Sequence, residues 1–145
     1  MSDHTATMPR SLLCVLLLFV AAASPAAEVS KEDAAAIRKV ISEQIDAFKR
    51  DDGPSAFSLA TAGIRAQFGT PEVFMEMVRS QYAVVYRPKS VQFEPPEIVE
   101  GEVVQPVRMT DATGGAWLAI YPMQREGGSW RTNGCLLHRL PGVQT

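Results

Sequence analysis

The apolar residues of this 145-residue chain change their spacing once, at Pro88. Ahead of Pro88 they recur every three or four positions, the period of helices with one buried face. Behind it they fall into four short runs rich in Val, Ile, Trp and Tyr, parted by glycine-bearing turns, which is the pattern of strands. A chain with its helices first and its strands afterwards does not build alternating β-α-β units. It builds an antiparallel sheet with the helices gathered on one face, an α+β fold.

The first helical stretch, SKEDAAAIRKVISEQIDAFKRDD, opens on Ser30 with Asp33 three residues on, a capping-box arrangement in which Asp replaces the usual Glu or Gln. Ala34, Ile37, Val40, Ile41, Ile45, Ala47 and Phe48 fall on one side of the wheel. Lys39 with Glu43 and Asp46 with Arg50 pair along the polar side. Gln44 sits inside the apolar arc. Gly53-Pro54 breaks this helix and can open a short second one, and AGIRAQFG reads as a third, stopped at Gly69. Thr70, Pro71 and Glu72 then supply a capping hydroxyl, a first-turn proline and an acid at the positive end of the next helix. There Val73, Phe74, Met75, Met77, Val78 and Tyr82 spread over a wide arc, which predicts contact on two sides. Arg79 lies on the polar arc with Glu72, Glu76 and Ser80, whereas Gln81, like Gln44, falls among the apolar residues.

The strand runs are SVQFEPPEIVEG, EVVQPVRMTDATGG, AWLAIYPMQREGG and SWRTNGCLLHRL. Gly114-Gly115 and Gly127-Gly128 suit hairpins. Alternation puts Val103, Gln105, Val107 and Met109 on one face, with Arg108 and Thr110 on the other. Pro95, Pro96, Pro106 and Pro122 belong at edges or bulges, so the strands should be short and the sheet bent. A curved four-stranded antiparallel sheet holding the N-terminal helices in its concave face makes a cone. Such a cone is either filled by side chains or left with a pocket.

Residues 1–26 are set aside as a signal peptide. A polar start with Arg10 leads into the uncharged run SLLCVLLLFVAAA, and small residues follow, with cleavage placed after Ala26. That run is shorter than the ~20 residues of a spanning helix, so no stable membrane span is expected after cleavage. Cys14 lies within the run rather than after it, which disfavours a lipoprotein. The expectation is a secreted protein, periplasmic rather than extracellular, with residues 27–145 forming one α+β domain. Without Arg10 and Asp3, thirteen of the 14 basic and fifteen of the 16 acidic residues remain. A charge this balanced argues against a nucleic-acid partner. Cys135 is then the one cysteine left; it can form no internal disulfide and is expected to be buried.

The segments IRKVISEQIDAFKRDD, FGTPEVFMEMV, VYRPKSVQF, WLAIYPM and SWRTNGCLL, taken in this order, resemble a family of small exported bacterial proteins, domain of unknown function 4864. The resemblance spans about residues 33–137 and implies the nuclear-transport-factor-2-like, or cystatin-like, cone fold. It implies no activity and carries over no catalytic residue. The wider fold group holds ketosteroid isomerases, polyketide cyclases, dehydratases and many binding or dimerising modules, so fold does not decide function.

An isomerase of that kind needs a carboxylate base in its cone and an acidic donor to hold the enolate. Here Glu43, Asp46, Glu72 and Glu76 lie on polar helix arcs, Glu94, Glu97, Glu100 and Glu102 crowd a proline-rich hairpin, and Asp111 is in a turn. No interior carboxylate can be named. His138 lies near the terminus and reads as structural or solvated. One His, one Cys and scattered acids do not make a protein zinc site. Cys135 and His138, three apart on a strand, point to opposite faces and cannot form a nucleophile pair. The Gly-Gly pairs stand between strands and not before a helix, so no phosphate loop is present. No cofactor and no metal are expected.

Gln44 and Gln81 have two readings. In one, each amide bonds to backbone where a strand or loop ends. In the other, both project into the cone and line a polar-edged pocket with Tyr82, Tyr86 and Asn133. Tyr86 and Arg87, ahead of Pro88, read either as a packed exit turn with Arg87 paired to Asp51 or Asp52, or as an anion-binding corner at Arg87. Trp117 and Trp130 read as packing. These observations favour a non-catalytic module that binds a small ligand or a protein partner. The alternatives are a ketosteroid-isomerase- or cyclase-like enzyme with its site in the cone, and a module that forms homodimers through the sheet face.

Overall fold

Helices occupy the first half of the described chain, residues 28–142 of a computed structural model, and strands the second. The signal peptide read over residues 1–26 lies outside the described residues. Helix α1 (Lys31–Lys49) starts where the side chain of Ser30 accepts from the Asp33 amide at 3.1 Å. It ends with Asp51 in the left-handed region, at φ 53°. The Asp52 amide donates to Ala47 O at 2.9 Å and the Asp51 amide to Phe48 O at 3.0 Å. This is a Schellman closure with Asp where glycine is usual. Helices α2 (Gly53–Ser58), α3 (Ala62–Phe68), α4 (Pro71–Gln81) and α5 (Ala83–Tyr86) follow. The first three are capped by Asp52, Thr61 and Thr70 respectively.

The sheet has the four lanes expected, all antiparallel, but each outer lane is broken in two. Strands β1 (Ser90–Phe93) and β2 (Glu97–Val99) both pair with β3 (Glu102–Thr110). Strands β5 (Ser129–Thr132) and β6 (Leu136–Arg139) both pair with β4 (Ala116–Glu126), and β3 and β4 form the centre. The register explains the breaks. Phe93 faces Val107 and Glu97 faces Val104, so the three residues 94–96 stand opposite only Gln105 and Pro106. On the other edge Thr132 faces Met123 and Leu136 faces Ile120, so the three residues 133–135 stand opposite only Tyr121 and Pro122. Each edge thus carries one extra residue, a β-bulge, which bends and twists the strand.

The two bulges share a chemistry. In both, the first bulged residue donates to a proline carbonyl: Glu94 N to Pro106 O at 3.1 Å, and Asn133 N to Pro122 O at 2.8 Å. Proline has no N–H to return, so the ladder cannot close normally there. Gln105 pairs with Tyr121 across the centre, so the two bulges bend the sheet at one level. The hollow so formed holds α1. Ile37, Ile41 and Ile45 meet Val107, Met109, Ala119, Tyr121 and Met123 in one core. Each fully buried aliphatic side chain there stabilises the fold by roughly 1.5–3 kcal/mol.

The hairpin between β4 and β5 turns on Gly127 and Gly128, both at positive φ, 56° and 80°, as a two-residue type I′ loop requires. The turn between β3 and β4 is tied by the Asp111 carboxylate. It accepts from the Trp117 indole at 2.9 Å, from the Thr113 hydroxyl at 2.8 Å and from the Gly115 amide at 2.8 Å. These bonds, that of Trp117 foremost, hold its carboxyl down at about 2. Trp130 likewise donates to Asp33, at 3.2 Å. Both tryptophans are half-buried packing residues.

Two facings differ from the wheel. Val73 is 51 % exposed, because α4 packs through Phe74, Met75 and Val78 and Val73 lies off that face. Gln81 is exposed rather than buried. The helix ends at Gln81 and Tyr82 leaves helical geometry at φ −129°, so the two residues do not share the arc that a continuous helix would give them.

Gln105 sits at the bend, 2 % exposed, with its amide nitrogen donating to Glu94 O at 2.6 Å and Pro106 O at 2.8 Å. Gln105→Leu should leave the Glu94 carbonyl without a donor at a cost of about 1–3 kcal/mol. That is a fall in Tm of roughly 4–12 °C, read by circular dichroism melting. A Tm at or above that of the parent would show that the bulge does not depend on the amide.

Candidate functional site: a chamber at the bend of the sheet

The bend leaves a cavity of about 480 Å³ between the C-terminal half of α1, helices α3 and α4, and the bulge 133–135. Most of its wall is apolar. Phe74 stands at the centre of an aromatic group, with ring centroids 6.0 Å from Phe48, 5.6 Å from Phe57 and 5.7 Å from Phe68. Phe48, Phe68 and Phe74 face the cavity, and Ile64, Val78 and Val85 complete this side. None of the residues lining it is acidic, basic or histidine. Among the described residues no group of three or more His, Cys, Asp or Glu side chains is placed to hold a metal ion.

The polar atoms of the chamber are few. Gln44 is 3 % exposed, and its amide nitrogen donates to Ala56 O at 3.0 Å and to Thr132 Oγ1 at 3.1 Å. Both amide hydrogens are thereby used, so the carbonyl oxygen is what Gln44 can still offer. Gln44 therefore does what the backbone-bonding reading required while also lining the cavity. Tyr82 donates to Cys135 O at 3.0 Å, joining the end of α4 to the bulge. Asn133 Oδ1 accepts from the Thr61 hydroxyl at 2.9 Å, joining α3 to the same bulge. Gln81 and Gln67 are exposed and stand on the rim.

Four of the residues singled out in the sequence, Gln44, Gln81, Tyr82 and Asn133, thus surround one chamber. Tyr86 does not. It lies on the far side of α5, where its hydroxyl bonds to the Asp51 carboxylate. Arg87 stacks over the Tyr86 ring at 4.2 Å and reaches Asp51 Oδ2 at 3.2 Å and Phe48 O at 2.8 Å. Arg79 Nη2 reaches Asp51 Oδ1 at 3.3 Å. The Tyr86 hydroxyl, then Arg79 and Arg87, keep the Asp51 carboxyl below its usual range. The corner is a latch between the end of α1 and α5. The left-handed turn at Asp51 aims this carboxylate outward, and Tyr86 follows it.

The floor of the chamber holds what sequence reasoning missed. Tyr121 is 2 % exposed, and its hydroxyl has no hydrogen-bond partner among the described residues. Alternation along WLAIYPM puts Tyr121 on the face of Ala119 and Met123, which could have marked it as inward. Beside it is the Cys135 thiol, close enough to act on the hydroxyl through weak hydrogen bonding though outside good geometry, while it also donates to Leu136 O at 3.9 Å. Burial pushes the Cys135 thiol up to about 12, with Tyr121 opposing slightly. Burial also raises Tyr121 well above the ordinary phenol value. Both groups therefore stay protonated at neutral pH. The Cys135 thiol is thus buried as expected, although the residue as a whole is half-buried. His138 is exposed in β6, well apart from this chemistry.

A helix lying in a curled antiparallel sheet, with a chamber beside it, defines the nuclear-transport-factor-2-like cone. The chain belongs to the family described as Domain of unknown function (DUF4864), whose model matches residues 30–145. Among solved structures, Aln2 from a Streptomyces species is similar, with a TM-score of 0.53 at 17 % identity, over 78 % of this chain and 94 % of that one. At this identity the likeness shows the fold alone. An NTF2-like protein of unknown function from Shewanella baltica has a TM-score of 0.49 at 12 % identity, over 80 % of this chain and 100 % of its own. No curated protein matches the sequence.

Two measurements check the floor. An unpaired buried hydroxyl costs about 1–3 kcal/mol, so Tyr121→Phe should stabilise the empty protein by about 1 kcal/mol. That is a Tm rise of roughly 3–6 °C; a fall of the same size would mean that the hydroxyl has a partner. The raised thiol should make Cys135 alkylate with iodoacetamide at pH 8 on the order of a thousandfold more slowly in the native than in the urea-unfolded chain. Peptide-resolved mass spectrometry reads this rate apart from that of Cys14, and equal native and unfolded rates would refute it.

Proposed function

We propose that this protein is a non-catalytic receptor for a small, mainly apolar molecule, held in the chamber at the bend. The observation that carries this reading is the chamber itself: about 480 Å³, walled by aromatic and aliphatic side chains, with a few polar atoms at floor and rim. Sites of this size and lining are the usual form of small-molecule pockets. A filled cone would have had no such space. The isomerase- or cyclase-like alternative asks for a carboxylate base beside its donor, and no carboxylate lines the chamber. The buried phenol is a donor without a base.

Export belongs to the same proposal. The apolar run after Arg10 and the small residues before Glu28 support a leader removed near Ala26, with the mature chain acting in the periplasm. Among the described residues no helix is long and apolar enough to cross a membrane. The dimer reading draws on the outer sheet face, where Leu136 is 58 % exposed and paired in register with Ile120.

The test is a fluorescence titration of the purified protein with N-phenyl-1-naphthylamine, a neutral apolar dye. Saturable binding of about one dye per chain is expected, and Met77→Trp, which adds bulk to the chamber wall, should weaken it at least about tenfold without lowering Tm by more than a few degrees. Native mass spectrometry of the same samples reads subunit number and any co-purified molecule. Absence of saturable binding, or binding indifferent to Met77→Trp, would sink the receptor reading.

A further inference from the structure

We propose that the ligand is uncharged and carries a hydroxyl group at its buried end, whose proton is accepted by the side-chain carbonyl oxygen of Gln44. This deepens the receptor reading above and rests on it. Gln44 is buried and lines the chamber, and its bonds fix which way its amide faces. The nitrogen lies 3.0 Å from Ala56 O, a carbonyl that only accepts, and 3.1 Å from Thr132 Oγ1. The Thr132 hydroxyl gives its single proton to Leu59 O at 3.4 Å, so it too accepts from Gln44. Both amide hydrogens are thereby spent, and Oε1 is left with no partner among the described residues. That oxygen is not sealed off as the Tyr121 hydroxyl is. Among the described residues Tyr121 alone has a fully enclosed side-chain polar atom without a partner. The Gln44 oxygen, equally unpartnered, therefore has open space before it, and the space beside Gln44 is the chamber.

The rest of the wall selects the group. No acidic, basic or histidine side chain lines the chamber. An ammonium would donate to Gln44 but leave its charge without a counter-ion in an apolar enclosure. A carboxylate or phosphate would set its own lone pairs against those of Oε1. A ketone, ester or ether has no proton for Gln44 to accept. A hydroxyl has one, and its oxygen can accept in turn. The same wall holds a donor for that oxygen. Asn133 follows Thr132 in the chain and also lines the chamber. The Thr61 hydroxyl accepts from the Ile64 amide at 3.3 Å and gives its proton to Asn133 Oδ1 at 2.9 Å. The Asn133 NH2 group is thus left free among the described residues. A neutral acceptor and a neutral donor on one wall fit a group that is both. A carboxamide would answer both but bury one further N–H at a desolvation cost. Away from this end the lining is aromatic and aliphatic, so the matching molecule is an alcohol with an apolar body.

The experiment uses four probes on one naphthalene body: 2-naphthylmethanol, its methyl ether, 2-ethylnaphthalene and 2-naphthylmethylamine. Each is titrated into the intact protein at pH 7.5, where the amine is an ammonium. The alcohol should bind roughly 3- to 10-fold more tightly than the ether, the worth of one net hydrogen bond, although the ether is the more apolar. The ammonium should bind at least about tenfold more weakly than the alcohol. Gln44→Met keeps the length of the side chain and removes the oxygen. It should weaken the alcohol roughly 5- to 100-fold, by leaving its hydroxyl unpaired, and hold the ethyl compound within about twofold. In the parent the side-chain carbonyl carbon resonance of Gln44 should move downfield with the alcohol and not with the ether, a readout that does not need the variant to fold. If alcohol and ether bind equally and leave that resonance unmoved, while Met77→Trp blocks both, the hydroxyl assignment is overturned and the receptor reading stands. Tightest binding by the ammonium overturns the assignment likewise. If none of the four binds, both readings fall.

Discussion

The fold depends on what two prolines withhold. Pro106 and Pro122 stand in the central strands, have no amide hydrogen to give, and each accepts at its carbonyl from the first residue of a bulge on the neighbouring edge. With an extra residue on both edges at one level, the sheet cannot stay straight there. It curls, and the curl is what lets α1 lie against β3 and β4 through one contiguous core. The chamber is a second consequence of the same bend. The residues that line its floor, Tyr121 and Cys135, are the bulge and the position facing it.

The polar side chains of the interior divide into those that hold this geometry and the one that does not. Gln105 serves the carbonyl exposed by the first bulge. Gln44 joins α1 to α2 and β5, Tyr82 joins α4 to the second bulge, and Asn133 joins that bulge to α3. Helices and sheet are thus tied at several points around the cavity, which keeps its walls in place when it is empty. The Asp51 latch with Tyr86, Arg79 and Arg87 does the same on the outer side, as an exposed cluster of modest energetic weight. Tyr121 ties nothing together.

Much of the architecture was legible from period and punctuation. Ser30, Thr70 and Pro71 marked helix starts, Gly127-Gly128 marked a hairpin, and Pro95, Pro96, Pro106 and Pro122 marked a bent sheet. The pocket was legible only in part. Gln44 stood out because a polar residue on an apolar arc must be answered by a partner, and that argument needs no coordinates. Gln81 stood out for a reason that failed, since the wheel was continued through Tyr82, where the chain has already left the helix. Tyr86 was misplaced because a residue's facing in a four-residue helix depends on what its neighbours bond to, and the partner, Asp51, is 35 residues away.

What the sequence determined by itself was local: which segments are helix or strand, where each begins, and that any bend must fall at a proline. These follow from backbone sterics and from hydrophobic period, both set within a few residues. Tertiary structure alone decided that the two bulges lie level with each other, that the space between helices and sheet stays partly open, and that the Tyr121 hydroxyl is the group left without a partner there. Those are relations between positions far apart in the chain. Strand register and packing volume settle them, and neither is written in any single stretch of residues.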